Sequence, residues 1–303
     1  MADAPSQDAP ALIATLVANP AWPVLDDALA MRAAVAVGAD EPTWLCQGVA
    51  AELAVSGEHG AVEATLRKVL AGVPVDVVVQ PSGERRKRLF LADMDSTMIE
   101  QECIDELADF VGLKPQVALI TERAMRGEIA FEPALRERVA LLRGLAVDIV
   151  DTIITERITY MPGGRTLVAT LKAHGAYTCL VSGGFTLFTG PVGAALGFDE
   201  DRSNRLLLES GTLAGEVAEP ILGREAKLAT LIELRNRFEL AGSDVLAVGD
   251  GANDLAMLGE AGLGVAFRAK PAVSAAAHAR IDHSDLTALL YLQGYRREEF
   301  AEA

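Results

Sequence analysis

Residues 89–97 read LFLADMDST, a short apolar run followed by two aspartates with one residue between them. Two similar stretches follow later in the chain, TCLVSGG at 178–184 and VLAVGDGAND at 245–254. In each of them a strand-like run leads into a polar or glycine-rich turn and then into a helical pattern. Repeated strand–turn–helix units predict a parallel sheet with helices on both faces, which binds ligands beyond the carboxyl ends of its strands. We therefore expect the three polar clusters to converge on one place.

The first 84 residues follow a different order. Four apolar runs predict strands at 11–17, 43–46, 49–55 and 75–79. Two helical patterns lie between them, at about 25–37 and 60–71. The resulting order βαββαβ is that of a ferredoxin-like α+β sandwich, and its pattern resembles the small regulatory ACT-type domains. Such a domain could bind a regulator or serve packing alone, and the sequence leaves both open.

A basic connector marks the predicted domain boundary. Residues 84–88 read ERRKR and follow the turn-forming residues Pro81, Ser82 and Gly83. A run of cations between two domains is more typical of a solvated linker than of a binding patch. We therefore place an N-terminal domain at 1–84 and a core domain at 85–303.

Composition and charge narrow the classes of partner. The chain has 303 residues, half of them apolar, and 27 Lys and Arg oppose 43 Asp and Glu for a net charge of −16. So acidic a protein repels nucleic acid, and so apolar a composition excludes a disordered chain. A small phosphate could bind only at a site where the charge is locally reversed.

Three features indicate a cytoplasmic protein. Cys46, Cys103 and Cys179 are odd in number and widely spaced, which predicts free thiols in a reducing compartment. Residues 1–8 carry two acids and no basic region, unlike a signal peptide. The uncharged stretch 175–198 contains six glycines and a proline, so we predict a strand, a turn and a short helix there instead of a membrane span.

The clusters at the strand ends carry the groups that phosphoryl transfer needs. Asp93 and Asp95 could supply a carboxylate nucleophile and an acid–base group. Ser182 and the N–H groups of the glycines after it could cradle phosphate oxygens. Taken singly, these features have plainer interpretations: an acidic helix cap, a glycine-rich turn and, for Lys227, an exposed helix position. In combination they predict a phosphoryl-transfer site.

Such a site needs cations. Each pair of like unit charges at about 4 Å repels by about 1 kcal/mol even in water, and several carboxylates would face a phosphate dianion. Mg²⁺ suits the role because it binds carboxylates together with phosphate oxygens and water. Lys227, which precedes the third strand, could supply the other positive charge.

In this order the motifs resemble the haloacid dehalogenase superfamily of phosphohydrolases, and more closely its phosphoserine phosphatases. The resemblance covers about 88–290 and rests on these segments: DMDST at 93–97, Glu102, ERAM at 122–125, FE at 131–132, RERV at 136–139, VSGGF at 181–185 and VGDGAND at 248–254. It implies an α/β fold, a Rossmann-like parallel sheet with a helical cap inserted at about 105–160. It also implies Mg²⁺-dependent hydrolysis of O-phospho-L-serine to L-serine and phosphate through an aspartyl-phosphate, the last step of serine biosynthesis.

The resemblance further implies roles for individual residues. Asp93 would be the nucleophile, and Asp95 would be the acid–base that also touches Mg²⁺ through its backbone carbonyl. The Asp93 carboxylate and Asp250 would complete the metal site. Five residues would surround the transferred phosphoryl group: Ser182, Gly183, Lys227 and Asn253 in direct contact, and Asp254 in support behind them.

In the cap, the resemblance and the chemistry of phosphoserine indicate the same residues. Arg138 could bind the substrate carboxylate bidentately, and Glu102 could pair with the substrate ammonium. Met125 and Phe131 would form an apolar lid that excludes water. Taken alone, Arg138 is more typical of a solvated helix charge and Phe131 of a core residue.

Three alternatives stay open. The chain could be a phosphatase or phosphotransferase for another small phosphomonoester such as phosphohomoserine. A receiver-like signalling domain is a second alternative, against which the cap insert argues, and a nucleotide-binding module is a third, although G-x-G-x-x-G is missing from the first turn. We expect a small phosphomonoester as the partner, with neither nucleic acid nor membrane. The oligomeric state, a homodimer included, and the binding of a regulator such as serine stay open.

Overall fold

The N-terminal part of the computed structural model, which describes residues 12–126 and 128–302, is an antiparallel sheet with two helices. Its elements are β1 (Leu12–Ala18), α1 (Asp27–Ala36), β2 (Thr43–Cys46), β3 (Ala50–Val55), α2 (His59–Val69) and β4 (Val75–Pro81). The strands lie in the order β2-β3-β1-β4. The element order confirms the predicted ferredoxin-like sandwich. The predictions for residues 1–8 and for position 11 lie outside the described residues.

Local capping explains where the two helices of this N-terminal sheet begin. The carboxylate of Asp26 accepts a hydrogen bond from the Leu29 N–H at 2.7 Å, at the start of α1. Glu58 caps α2 in the same way by accepting from the Gly60 and Ala61 N–H groups. An acidic side chain at this position satisfies backbone donors that have no partner within the helix.

The rest of the chain forms a parallel sheet surrounded by helices. Its elements in chain order are β5 (Leu89–Ala92), α3 (Cys103–Phe110), α4 (Lys114–Met125), α5 (Phe131–Leu141), α6 (Ile149–Glu156), α7 (Gly164–Ala173), β6 (Tyr177–Phe185), α8 (Thr186–Leu196), β7 (Glu200–Asn204), β8 (Leu206–Glu209), β9 (Thr212–Val217), α9 (Arg224–Arg237), β10 (Val245–Gly249), α10 (Leu255–Glu260), β11 (Leu263–Phe267), α11 (Pro271–Ala276), β12 (Ala279–Ile281) and α12 (Ala288–Tyr291). Six strands make this core sheet in the order β12-β11-β10-β5-β6-β7, and β8 pairs with β9. Every residue of β5, β10 and β11 is buried, as expected of a sheet covered on both faces.

Strand β6 differs from the prediction. The glycine-rich residues 182–184 were expected to form a turn after a strand at 178–181, but the strand continues to Phe185 and α8 follows at once. The Ser182 hydroxyl accepts the Gly184 N–H at 2.9 Å, and the pairing with β7 shifts register between Val181 and Phe185. The predicted turn was wrong because these residues stay extended as an irregularity in the strand. No helix within the described residues is long and apolar enough to cross a membrane.

Helices α3 to α6, called the helical insert below, leave and rejoin the core sheet at one place. Ile99 forms an antiparallel bridge with Tyr160. Next to it, the Glu100 N–H donates to the Thr159 carbonyl oxygen at 2.9 Å. The two connections to the insert therefore lie side by side, at the carboxyl end of β5.

The buried carboxylate of Asp76, in β4, makes one of the contacts that join the N-terminal sheet to the rest of the chain. It accepts hydrogen bonds from three consecutive backbone N–H groups, at 2.8 Å from Asp282, 3.2 Å from His283 and 2.9 Å from Ser284. Burial raises the pKa of Asp76, and these three N–H groups oppose the rise. The loop that supplies them also donates from the Leu286 N–H to the Pro162 carbonyl oxygen at 3.0 Å. One carboxylate thus fixes the N-terminal sheet to a loop that also contacts the end of the helical insert.

Replacing Asp76 with alanine should destabilise the protein by about 2–4 kcal/mol, because the buried N–H group of Ser284 would lose its partner, at a cost of about 1–3 kcal/mol, and the less buried N–H groups of Asp282 and His283 could bind water instead. Chemical unfolding of the Asp76→Ala variant measures the loss. The control is Asp40→Ala, a change at an exposed position before β2, which should alter the unfolding free energy by less than about 0.5 kcal/mol. Equal effects of the two substitutions would show that the Asp76 contact is not a stabilising one.

Candidate active site

Three adjacent strands bring the polar clusters together. Strand β5 lies between β6 and β10, and all three are parallel, so their carboxyl ends meet at one edge of the sheet. Asp93 directly follows β5, and its N–H continues the ladder by donating to the Val248 carbonyl oxygen at 3.0 Å. Asp250 directly follows β10, and Ser182 lies in β6. The expected convergence of the clusters is therefore present in the structure.

A buried lysine joins two of the clusters. The Lys227 ammonium lies 2.7 Å from a carboxylate oxygen of Asp93 and 2.7 Å from one of Asp254. All three side chains are buried, and Lys227 reaches them from the first turns of α9. Burial alone would lower the pKa of Lys227, but the two carboxylates raise it above its ordinary value. The exposed helix position considered for Lys227 from sequence is thus excluded.

The carboxylates outnumber the cations at this edge. Asp93, Asp250 and Asp254 offer oxygens within 4.8 Å of one another, and Lys227 is the cation in contact with two of them. Burial and the charge of Asp254 raise the pKa of Asp93, which Lys227 opposes. Burial, followed by the charges of Asp254 and Glu102, raises the pKa of Asp250 to about 6. A set of hard oxygen donors with excess negative charge fits a divalent cation such as Mg²⁺.

Asp254 is engaged by the protein itself. Its second oxygen accepts the Gly251 N–H at 3.0 Å while the first binds Lys227. A Cβ atom at Gly249 would lie only 2.4 Å from the Asp254 carboxylate, so this position must be glycine. Asn253 is half-buried, and its Oδ1 would lie 2.2 Å from a Cβ atom at Gly251. Both glycines of the cluster therefore permit side chains to fold closely over the backbone.

Asp95, two residues after Asp93, lies next to β6. The Cys103 N–H donates to its Oδ1 at 3.4 Å, and burial and then the charge of Glu102 raise the pKa of Asp95 to about 7. A Cβ atom at Gly184 would lie 3.1 Å from Asp95 Oδ2 and 3.0 Å from the Ser182 hydroxyl. The absence of a side chain at Gly184 lets the first and second clusters approach each other. A carboxyl group with a pKa near neutrality can both donate and accept a proton.

Two hydroxyl residues at this edge had no role assigned from sequence. Ser96 has a left-handed backbone, with φ of 57°, and its hydroxyl donates to Glu102 at 2.8 Å. The Thr97 hydroxyl donates to Asp250 at 3.4 Å. Both follow the two aspartates directly, and this adjacency is the only signal in the sequence that could have indicated them.

The helical insert contributes residues on the far side of the site. Phe131, at the start of α5, lies over β6, with its ring 3.4 Å from the position of a Cβ atom at Gly183. Arg138 is half-buried in the same helix and donates to the Ala134 carbonyl oxygen and the Thr121 hydroxyl. Burial lowers the pKa of Arg138, and the charges of Asp105 and Glu102 oppose this. The other predicted lid residue, Met125, ends α4, and its side chain lies outside what the structure describes.

Comparison with known proteins identifies the family. The model of haloacid dehalogenase-like hydrolases matches residues 90–259, more than half of the chain. The phosphoserine phosphatase SerB2 of Mycobacterium tuberculosis is 42% identical over 83% of this chain, and the chain spans only 63% of that protein's length. The phosphoserine phosphatase of Albidiferax ferrireducens is 47% identical over 68% of this chain and 89% of its own. The crystal structure of a probable phosphoserine phosphatase from Vibrio cholerae superposes with a TM-score of 0.78 at 31% identity, covering 96% of this chain and 88% of that one. The resemblance inferred from the motifs is confirmed, and the chain belongs to the haloacid dehalogenase-like hydrolases.

Proposed function

We propose that this chain is a phosphoserine phosphatase, which hydrolyses O-phospho-L-serine to L-serine and phosphate. The observation that carries the proposal is the half-buried guanidinium of Arg138, which forms no ion pair with any described residue although it lies beside a site rich in carboxylates. A guanidinium in that state suits a carboxylate of the substrate. The proteins of M. tuberculosis and A. ferrireducens, both named phosphoserine phosphatases, support the same substrate.

The first chemical step would be phosphoryl transfer to Asp93. Its Oδ1 accepts the Lys227 ammonium and the Met94 N–H, whereas Oδ2 accepts no hydrogen bond within the described residues. Oδ2 would attack phosphorus and form an aspartyl-phosphate as the bond from phosphorus to the serine oxygen breaks. The carboxyl group of Asp95 would give its proton to the departing oxygen, which leaves as the hydroxyl of L-serine.

The second step would reverse the role of Asp95. Its carboxylate would take a proton from water while the water oxygen attacks phosphorus, which frees the Asp93 carboxylate and releases phosphate. Lys227 would stay protonated throughout and hold the oxygens of the phosphoryl group together with the Ser182 hydroxyl and the Gly183 N–H. Asn253 would contact the same group, and Asp254 would hold Lys227 in place.

Mg²⁺ is the cofactor that the donor set favours. Asp93, Asp250 and the backbone carbonyl of Asp95 would hold it, and when bound it supplies positive charge against the phosphate dianion. Because Asp254 already accepts two hydrogen bonds within the protein, we assign it to Lys227 instead of to the metal.

The helical insert would select the substrate. Arg138 would bind the carboxylate of phosphoserine, and Glu102, held by the Ser96 hydroxyl at 2.8 Å, would bind its ammonium. Phe131 and Met125 would cover the site and exclude water during the first step. We accordingly propose a cap at about 105–160 within a core domain at 85–303, and a separate domain at 1–84.

Localisation in the cytoplasm is part of the same proposal. Cys46, Cys103 and Cys179 are free thiols, as predicted, and free thiols suit a reducing compartment. The net charge of −16 argues against nucleic acid as a partner.

The Asp93→Asn variant should release phosphate from O-phospho-L-serine at least about 10³-fold more slowly than the wild type, because an amide oxygen is a poor nucleophile. Steady-state phosphate release measures the loss. Asp40→Asn makes the same chemical change at an exposed position and should leave the rate within about two-fold. Turnover of Asp93→Asn close to that of the wild type would exclude the aspartyl-phosphate mechanism.

Removing divalent cations should weaken anion binding as well as turnover. We expect the Kd of inorganic phosphate, measured by calorimetry, to rise at least about ten-fold when EDTA replaces Mg²⁺ at constant ionic strength. Activity should return on addition of Mg²⁺ and not of Na⁺. An unchanged Kd would mean that Lys227 and the backbone donors suffice to bind the anion.

Arg138→Lys should lower kcat/KM for phosphoserine by about 10–100-fold, because an ammonium cannot replace bidentate contacts to a carboxylate. Phosphoethanolamine lacks the carboxylate, so its kcat/KM should change by less than about three-fold. The matched control is Arg136→Lys on the same helix, at an exposed position paired with Glu219.

The wild type should also prefer phosphoserine to phosphohomoserine, and added alcohols should not divert the phosphoryl group. Equal losses for phosphoserine and phosphoethanolamine in Arg138→Lys would contradict the assignment of Arg138. A preference for phosphohomoserine, or transfer to the alcohols, would favour the alternative phosphatase or phosphotransferase activities.

A further inference from the structure

Asn204, the last residue of β7, is a buried polar side chain with no part in the proposed chemical steps, and it is only 2% exposed. Its amide makes three hydrogen bonds to backbone groups. Nδ2 donates to the Gly183 carbonyl oxygen at 2.9 Å and to the Leu222 carbonyl oxygen at 3.0 Å, and Oδ1 accepts the Leu222 N–H at 2.7 Å. One amide therefore joins the phosphate-side end of β6 to the loop before α9.

Each of these two segments positions a group of the site. Gly183 follows Ser182 directly, and the Gly223 carbonyl oxygen accepts the N–H of Lys227 at 3.3 Å. A displacement of the Leu222 loop would move the first turn of α9 and the ammonium that it carries. Within the described residues Asn204 forms no hydrogen bond with Lys227, Asp93 or Ser182, and its own hydrogen bonds go to the backbone of the two segments, through which its effect on the site would pass.

Both segments also present a glycine to the ring of Phe131. A Cβ atom at Gly183 would lie 3.4 Å from Phe131 Cζ, and one at Gly223 would lie 3.2 Å from Phe131 Cδ1. Gly223 has φ of −114° and ψ of −155°, and neither glycine has a positive φ, so the backbone does not require glycine at either position. A Cβ atom at Gly223 would be tight against the ring, and one at Gly183 would be in ordinary contact with it, so the ring packs directly against both backbone segments. We call these two glycines the ring seat.

We propose that Asn204 is a positioning residue that holds the two halves of the ring seat at the spacing that Phe131 fills, and thereby sets the closed position of the helical insert together with that of Lys227. The inference rests on the proposed function in so far as closure of Phe131 serves turnover. An amide is needed here because two carbonyl oxygens require donors and one N–H requires an acceptor. A carboxylate would place an oxygen against both carbonyls, and an apolar side chain would leave all three groups without partners.

A double-mutant cycle between Asn204 and Phe131 tests the proposal. Asn204→Asp should lower kcat/KM for phosphoserine by about 10–100-fold in the wild-type background and by at least about five-fold less in the Phe131→Ala background, because the part of the loss that acts through the seat requires the ring, whereas the part that acts through Lys227 remains. The control is Asn236→Asp, the same change at an exposed position of α9, which should have little effect in either background. Equal losses from Asn204→Asp in both backgrounds would overturn the proposal, since they would indicate a general structural role.

A second pair of variants keeps the test decisive if Asn204→Asp does not fold. Gly223→Ala places a methyl group against the ring at a backbone conformation that alanine adopts, so it should raise KM for phosphoserine at least about five-fold. In the double variant with Phe131→Leu, the smaller side chain should return KM most of the way to the wild-type value. A KM that Phe131→Leu does not lower in the Gly223→Ala background would contradict the proposed contact between the ring and the ring seat.

Hydrogen exchange of the α5 amides in the presence of Mg²⁺ and inorganic phosphate separates this inference from the substrate assignment. Exchange should be at least about five-fold faster in Asn204→Asp and Gly223→Ala than in the wild type, because closure of the insert is impaired. If the wild type does not hydrolyse phosphoserine, the proposed function fails while this readout still tests the seat. Unchanged exchange in both variants would overturn the seat even if phosphoserine is the substrate.

Discussion

The ammonium of Lys227 lies 2.7 Å from the carboxylates of Asp93 and Asp254, and all three groups are buried. Removing such ions from water costs several kcal/mol each, which only close and well-oriented contacts offset. The three residues come from the end of β5, the first turns of α9 and the loop after β10, so the core sheet must hold these elements in register for the contact to form. The continuous burial of β5 and β10 provides that rigidity.

The same contact explains the electrostatics of the site. Two carboxylates share one ammonium, and Asp250 adds a third acid whose pKa is already raised to about 6, chiefly by burial and next by Asp254. The excess negative charge of these three carboxylates lies at one edge of the sheet. The backbone donors of β6 lie at the same edge. An acidic protein can thus bind an anion at this edge, provided that a divalent cation joins the lysine.

The parts of the fold and site that depend on local pattern could be predicted from sequence. Apolar runs bounded by turn residues indicate the strands, and a parallel topology requires their polar ends to meet, so the sequence predicts that Asp93, Ser182 and Asp250 lie together. The turn predicted at 182–184 was wrong because a side-chain hydrogen bond keeps those residues extended. The partners of Asn204 lie 21 and 18 residues away along the chain, and no periodicity reports such a contact. Burial of Lys227 was likewise invisible, since a lysine in a helical pattern is usually exposed.

The loop that donates hydrogen bonds to the Asp76 carboxylate also contacts a second part of the molecule. Leu286 donates to Pro162, and the next residue, Gly163, has φ of 80° and would place a Cβ atom 2.7 Å from the Thr287 backbone nitrogen. The N-terminal sheet and the returning end of the helical insert therefore both attach to one short loop. Lengthening that loop would loosen both attachments at once, so its length is a constraint on how this architecture can evolve.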